Sequence, residues 1–340
     1  MNIHKNLAGK KILVTGGTGT VGQALVQRLL DEGAAVVRAF SRDEYKQYRM
    51  QEYFAWQGTD QTRLRFFLGD VRDRERVQRA MEDIDVVFHL AALKHVPACE
   101  YNPYEAVKTN VLGTQNVIDC AMERKVEAVV YASTDKAAAP TNTMGASKLL
   151  AERLVSSANE WKGPRATRFL SVRFGNILNS RGSVVPLFQR QIARGGPVTV
   201  TDGDMTRFFM EIERAVELIL HSLAIARGGE TFVFKMPILR IGDLAAAMLE
   251  LTGPDVAVKT IGLRPGEKMY EELMSEEESA RALETDDLFI ILPYYQEVCA
   301  ALALYAGARK AACGTYSSAG KETLTRVEIK SMLQRIGCFC

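Results

Sequence analysis

The stretch KILVTGGTGTVG, residues 11–22, decides the architecture. Its first five residues form an apolar run of strand character, and glycines follow at 16, 17, 19 and 22. Val21, Leu25 and Leu29 then recur at helical spacing, and Gly33 ends the pattern. Glycines at these positions permit a tight turn and let a pyrophosphate approach the free amides at a helix amino terminus. Thr15, Gly16, Gly19, Thr20, Val21 and Gly22 are therefore candidates for a dinucleotide cradle. The alternative is a glycine-rich connector, against which stand five further strand-like runs: AAVVRAF (34–40), RFFLGD (65–70), VVFHL (86–90), AVVYAS (128–133) and FLSVRF (169–174). Each alternates with a helical pattern and is apolar enough to be covered on both faces. The predicted fold class is α/β, a doubly wound parallel sheet. After residue 174 the pattern loosens, with turns marked at Gly182, Gly195-Gly196-Pro197, Gly228-Gly229, Pro237 and Pro265-Gly266. A smaller mixed α/β lobe is expected there, dividing the chain into residues 1–177 plus 208–234 for the cofactor and 178–207 plus 235–340 for a second ligand.

The ends of the later strands supply the remaining candidates. After the second strand stand Ser41, Arg42, Asp43 and Lys46. A hydroxyl and two cations suit a 2′-phosphate, favouring NADP; Asp43 is the acid that NAD would use, and a solvated helix start is the bland reading of Arg42 and Lys46. Asp70 and Val71 end the third strand, where Asp70 either accepts from an adenine amino group or caps a turn. Ala91, Ala92, Lys94 and His95 follow the fourth strand, at the carboxyl edge where ligands bind. His89, inside that strand, reads as a core histidine. Asn110, in KTNVLGTQN, is expected to hold a backbone carbonyl and a water near Lys148.

Ser133-Thr134-Asp135-Lys136 closes the fifth strand, and Met144-Gly145-Ala146-Ser147-Lys148 follows. The layout resembles a short-chain dehydrogenase site, in which a serine at a strand end and a tyrosine four residues before a lysine handle a substrate hydroxyl. Met144 occupies the tyrosine position. A thioether exchanges no proton near neutral pH, so either the site is inactive or Thr134, Asp135 and Lys136 perform the proton chemistry.

These blocks, with RFGNILNSRGSVVPLF, VTDGDMTRFF and IGLRPGEKMYEEL, resemble the nucleotide-sugar 4,6-dehydratases of the extended short-chain dehydrogenase superfamily, closest to the capsule and surface-glycan enzymes acting on UDP-N-acetylglucosamine. Both tyrosine and methionine occur at the position of Met144 in that family. The resemblance implies a Rossmann domain with NADP, NAD remaining open, and a substrate oxidised at C4, deprotonated at C5 and stripped of its C6 hydroxyl. Lys136 is then the C5 base, Asp135 the acid at C6, Thr134 the hydroxyl handler and Lys148 the holder of the nicotinamide ribose. Asn176, Arg181, Arg207 and Arg264, with Val185 beside them, would anchor the diphosphate sugar together with Lys94 and His95, and Glu267 the uridine ribose. Inversion at C5 is favoured by likeness to the inverting capsule enzymes. A retaining dehydratase, a 4-epimerase and an inactive NADP-binding scaffold are the rivals, and a homo-oligomer, dimer or hexamer, is implied by analogy.

Composition sets outer bounds. With 43 basic against 41 acidic side chains and a formal charge of +2, no block of like charge suggests a nucleic-acid partner. Even the apolar AVELILHSLAIA carries Glu217 and His221, so no membrane span is expected and the chain reads as cytoplasmic. Six scattered cysteines lack metal spacing and read as free thiols, with Cys338 and Cys340 on a frayed end.

Overall fold

The computed structural model describes residues 7–60, 62–253, 256–264 and 266–338. Pro265 and Cys340, named above, lie outside them. Six strands, β1 (Lys11–Thr15), β2 (Val36–Ser41), β3 (Leu64–Leu68), β4 (Val86–His89), β5 (Ala128–Ala132) and β6 (Arg168–Arg173), fall on the six apolar runs. Residues 12–15 of β1 and all of β4 are buried, as strands sandwiched between two helical layers must be. The second part contributes β7 (Asn176–Ile177), β8 (Val198–Val200), β9 (Thr206–Met210), β10 (Thr231–Phe234), β11 (Ile238–Arg240), β12 (Val258–Thr260), β13 (Glu272–Met274), β14 (Ala282–Glu284), β15 (Leu288–Ile291), β16 (Arg309–Lys310) and β17 (Tyr316–Ser317).

The large sheet runs β3-β2-β1-β4-β5-β6-β10-β15-β14-β16. It is parallel from β3 through β10, then antiparallel where β15 and β14 join. The strand order reverses beside β1, the topological switch point at which dinucleotides lie across the carboxyl ends of the strands. Two apolar cores cover the faces of this sheet: Ile12, Val14, Val130 and Leu170 point into one, Leu13, Val87, Val129 and Phe169 into the other. The smaller lobe has its own core around Phe188, Phe209, Leu244 and Leu333, under the short sheet β11-β9-β7 and the pair β12-β8.

Two expectations on division need correction. Residues 282–310, assigned above to the smaller lobe, instead carry β14, β15 and β16 and widen the large sheet. Phe208 to Met210, assigned to the cofactor part, pair in β9 with β7 and β11 of the small sheet. Among the described residues no helix is long and apolar enough to cross a membrane, and Cys99, Cys120, Cys299, Cys313 and Cys338 are free.

Candidate active site

The glycine loop is built for close approach. Gly16 has φ of +71°, and a Cβ there would stand 2.8 Å from the Ala91 amide nitrogen. A Cβ on Gly22 would lie 2.5 Å from the Gly16 carbonyl oxygen. The helix Thr20–Asp31 starts after Gly19 with no side-chain cap, leaving its first amides and its positive dipole end open to an anion. Thr15, expected in the cradle, turns behind it: its hydroxyl lies 2.6 Å from His89 Nδ1 and accepts from the Ala91 amide at 3.4 Å. Thr114 holds the other ring nitrogen of His89 at 3.0 Å, and burial pushes the imidazole pKa down to about 3, so His89 is a neutral core residue.

In front of the loop lies a cavity of about 790 Å³. Its wall brings together Gly16, Gly19, Thr20, Val21, Gly22, Ser41, Arg42, Lys46, Asp70, Val71, Ala91, Ala92, Lys94, His95, Ser133, Thr134, Lys136, Met144, Lys148, Asn176 and Arg181. At its far end Asp43 caps the helix Glu44–Trp56 by accepting from the Lys46 amide at 3.0 Å, and pairs with Lys46 Nζ at 2.6 Å. Hydrogen bonds from Lys46 hold the Asp43 carboxyl below its usual range. Asp70 caps a turn through the Arg72 amide at 3.0 Å and is paired with Arg72 at 2.7 Å, with Arg42 at 3.5 Å. Burial opposes its charge, but the bonds from Arg72 prevail and lower its pKa.

The catalytic candidates occupy the edge of the sheet after β5. Ser133 Oγ is buried and has no partner among the described residues. Thr134 Oγ1 donates to Asp135 Oδ1 at 2.8 Å and Lys136 Nζ donates to the same oxygen at 2.9 Å. Thr134 and Lys136 reach the cavity wall, whereas Asp135 sits behind them, its Oδ2 buried and unpartnered. Asp135, expected from the sequence to meet a C6 hydroxyl directly, lines neither cavity and is joined to the wall by its bonds from Thr134 and Lys136. Burial works against the Lys136 ammonium, yet the carboxylates of Asp135 and Glu271 outweigh it and hold its pKa above the ordinary value. Lys148 is the converse. Its Nζ donates to the Ala132 carbonyl at 2.6 Å and lies 4.2 Å from the Tyr131 ring centre, and burial pulls its pKa down to about 7.

Met144 lies on the wall but is anchored in a small apolar cluster with Cys99 and Ala106. Asn110 lies beneath the wall, in a π-helical turn spanning Val107–Leu112. It accepts from the Leu93 amide at 2.8 Å and donates to the Leu93 carbonyl at 3.0 Å and to Ser147 Oγ at 2.9 Å. The amide and carbonyl of Leu93 are thereby pinned, and the backbone carbonyl that Asn110 was expected to hold is that of Leu93.

A second cavity of about 260 Å³ opens beside Lys136 and Asn176 and is lined by Arg207, Arg264, Glu267 and Glu271. Between the cavities the Arg181 guanidinium donates to the Thr18 carbonyl, its amide donates to Thr20 Oγ1 at 3.1 Å, and its carbonyl accepts from Lys94 at 2.7 Å. Arg181 thus straps the glycine loop. Gly182 packs on the His95 ring. Val185, expected at the substrate, is fully buried in the smaller lobe's core and lines neither cavity. In the sequence nothing beside Glu272 in KMYEEL sets Glu271 apart; burial and its partners Lys136 and Arg207 single it out. The cradle closed to any Cβ, the uncapped helix start and the unpartnered Ser133 hydroxyl fit a bound dinucleotide.

Comparison with known proteins agrees with this geometry. The family described as polysaccharide biosynthesis protein matches residues 12–293. The chain is 51% identical over 300 residues to an uncharacterized membrane protein of Methanocaldococcus jannaschii, covering 86% of this chain and 88% of that one. It is 42% identical over 287 residues to an inverting UDP-N-acetylglucosamine 4,6-dehydratase of Campylobacter jejuni, covering 84% and 83%. It is also 40% identical over 329 residues to a UDP-glucose 4-epimerase of Rickettsia prowazekii, covering 95% of each. Among solved structures, Pen from Bacillus thuringiensis superposes with a TM-score of 0.89 at 45% identity, covering 97% and 99%. DesIV, the dTDP-glucose 4,6-dehydratase of Streptomyces venezuelae, superposes at 0.70 and 26% identity over 76% of this chain and 86% of that one, and was solved with NAD bound.

Proposed function

Since the chain belongs to the polysaccharide biosynthesis protein family, we propose that it is a nicotinamide-dependent UDP-N-acetylglucosamine 4,6-dehydratase that releases water, inverts C5 and yields a 4-keto-6-deoxy sugar nucleotide for surface-glycan synthesis. The observation that carries the reading is the hydrogen-bonded cluster of Thr134, Asp135 and Lys136, in which Thr134 lines the first cavity and Lys136 lines both. Elimination across C5 and C6 needs a base at C5 and an acid at C6, whereas epimerisation at C4 needs neither.

The glycine loop and the start of the helix Thr20–Asp31 hold the cofactor pyrophosphate, and Lys148 with Ser133 holds the nicotinamide ribose. When bound, the nicotinamide supplies a reversible two-electron acceptor for the sugar. Thr134 takes the C4 hydroxyl proton and passes its own to Asp135 along their 2.8 Å bond. Lys136 takes the C5 proton, which the adjacent ketone has acidified. The Asp135–Thr134 pair returns its proton to the departing C6 hydroxyl. Arg207 and Arg264 meet the diphosphate and Glu267 the uridine ribose, at the second cavity.

NADP is the favoured cofactor. Asp43, the acid that would bind an unphosphorylated ribose, is occupied by its helix cap and by Lys46, while Ser41 and Arg42 face the cavity. Releasing the bound nucleotide and weighing it tests this; finding only NAD refutes it. Cytoplasmic location and a homo-oligomer complete the reading, the latter supported by Tyr101, Tyr104, Leu112 and Leu150, which stay exposed on the protomer. The 4-epimerase reading is favoured by the Rickettsia relative. Incubation with UDP-N-acetylglucosamine and mass spectrometry separates the two: a product lighter by one water supports dehydration, and an isomer of unchanged mass overturns it.

A further inference from the structure

Glu271 has no part in the reaction drawn above, yet it is only 4% exposed and lines the second cavity beside Lys136. Its backbone is fixed independently of its side chain, the amide donating to Ser318 Oγ at 3.0 Å and the carbonyl accepting from the Ser318 amide at 2.9 Å. Its carboxylate oxygen Oε1 lies 3.6 Å from Lys136 Nζ and 3.8 Å from Arg207 Nε. The charged groups around it are Asp135 and Lys136 from the turn after β5, Arg207 from β9 and Lys268 on its own segment.

Lys136 therefore stands between two carboxylates, an arrangement that favours its ammonium form. A base must be the free amine, so Lys136 has to lose a proton before it can act. Asp135 is not free to take it, because in the reaction drawn above it already holds the proton that Thr134 passed on along their 2.8 Å bond. Glu271 is the other carboxylate within reach, 3.6 Å from Lys136 Nζ, and burial, with the nearby Asp135 charge, outweighs the cations around it and raises its pKa above the ordinary carboxylate value. We propose that Glu271 is a positioning residue of the elimination: it holds Lys136 Nζ at the junction of the cavities and accepts the proton that Lys136 must shed before taking the C5 proton.

The step balances. Lys136 ammonium and Glu271 carboxylate become amine and carboxylic acid. The C5–H bond then breaks, its proton bonds to the amine, its electron pair forms the C5–C6 double bond, and the C6 oxygen leaves as water with the proton from Thr134 and Asp135. Glu271 keeps its proton until the amine is freed again.

This role rests on the dehydratase reading, and the test separates the two. An internally shared proton makes turnover independent of pH between the titrations of Glu271 and Lys136. In Glu271→Gln the amine must be made by loss of a proton to solvent, so kcat falls about tenfold or more near neutrality and climbs about tenfold per pH unit. KM for the sugar nucleotide stays within about threefold, since Arg207 keeps its bonds to the Thr206 and Lys268 carbonyls at 2.7 Å. Glu271→Asp keeps a carboxylate and is expected to restore the flat profile at lower kcat. A Gln variant with wild-type kcat and a flat profile overturns the proposal. Should Glu271→Gln fail to fold, as read by circular dichroism, an Asp variant with undiminished kcat does the same. A wild-type enzyme that releases no water refutes the dehydratase reading instead.

Discussion

Lys148 offers a test in which stability and activity move in opposite directions. Its ammonium is buried, and its pKa falls from the ordinary 10.5 to about 7. That depression corresponds to roughly 5 kcal/mol of penalty on the charged form. Below pH 7 folded and unfolded chains both bind the proton, so the penalty is fully present and does not vary with pH. Between about pH 7 and 10.5 only the unfolded chain binds it, so folded stability rises by about 1.4 kcal/mol per pH unit. Lys148→Met keeps the length of the side chain and removes the charge, losing the bond to the Ala132 carbonyl and the contact with the Tyr131 ring, together roughly 2 kcal/mol. The variant is expected to be inactive, yet more stable than the cofactor-free wild type by about 3 kcal/mol near pH 6, with the gap closing toward pH 9.5. Urea unfolding followed by far-ultraviolet circular dichroism at both pH values measures this. A variant less stable near pH 6, or a gap that does not change with pH, refutes the burial argument.

What the sequence disclosed depended on how periodic each signal was. The six runs from KILVT to FLSVRF are apolar on both faces, a pattern imposed by two helical layers, and each lies on an observed strand. β14 and the edge strand β16 are three and two residues long and bear Glu284, Arg309 and Lys310, so nothing in their composition says which sheet they join. Site residues set by local backbone were visible: the glycine loop, and the strand end at Ser133. Those set by tertiary packing were not. Asp135 and Lys136 are neighbours in sequence, but the turn Asp135–Ala137 sends one behind the wall and the other onto it. Val185 looked polar in company, following Asn176, Arg181 and Ser183, yet the helix Val184–Ala193 turns it into the small core. Glu271 carried no mark at all, because its significance lies in residues 64 and 135 positions away.

Gly22→Ala places a Cβ 2.5 and 2.7 Å from the carbonyl oxygens of Gly16 and Gly17. Cofactor affinity should fall at least about tenfold by fluorescence titration, and an unchanged affinity would exclude the loop from the pyrophosphate site. Arg173 is 1% exposed and binds Glu152 Oε1 at 3.0 Å, Glu278 at 2.8 and 2.9 Å and the Leu273 carbonyl at 2.9 Å, tying β6 to β13 and to the segment after it. Arg173→Met strands two buried carboxylates and should cost about 3–5 kcal/mol in urea unfolding; a loss under about 1 kcal/mol would show that the triad relaxes freely. Lys136→Ala removes the C5 base while leaving the Thr134 to Asp135 bond in place. The C4 hydroxyl can still be oxidised, but with the C5 proton retained no double bond forms and C6 cannot take the electrons back. The bound nicotinamide should therefore stay reduced, visible in near-ultraviolet absorbance, with no water released and substrate affinity within about threefold of wild type. A general loss of folding or binding would abolish both signals together, so reduction without elimination is specific to a missing C5 base. Water release at a near wild-type rate would require another group to take that proton and would remove Lys136 from the role.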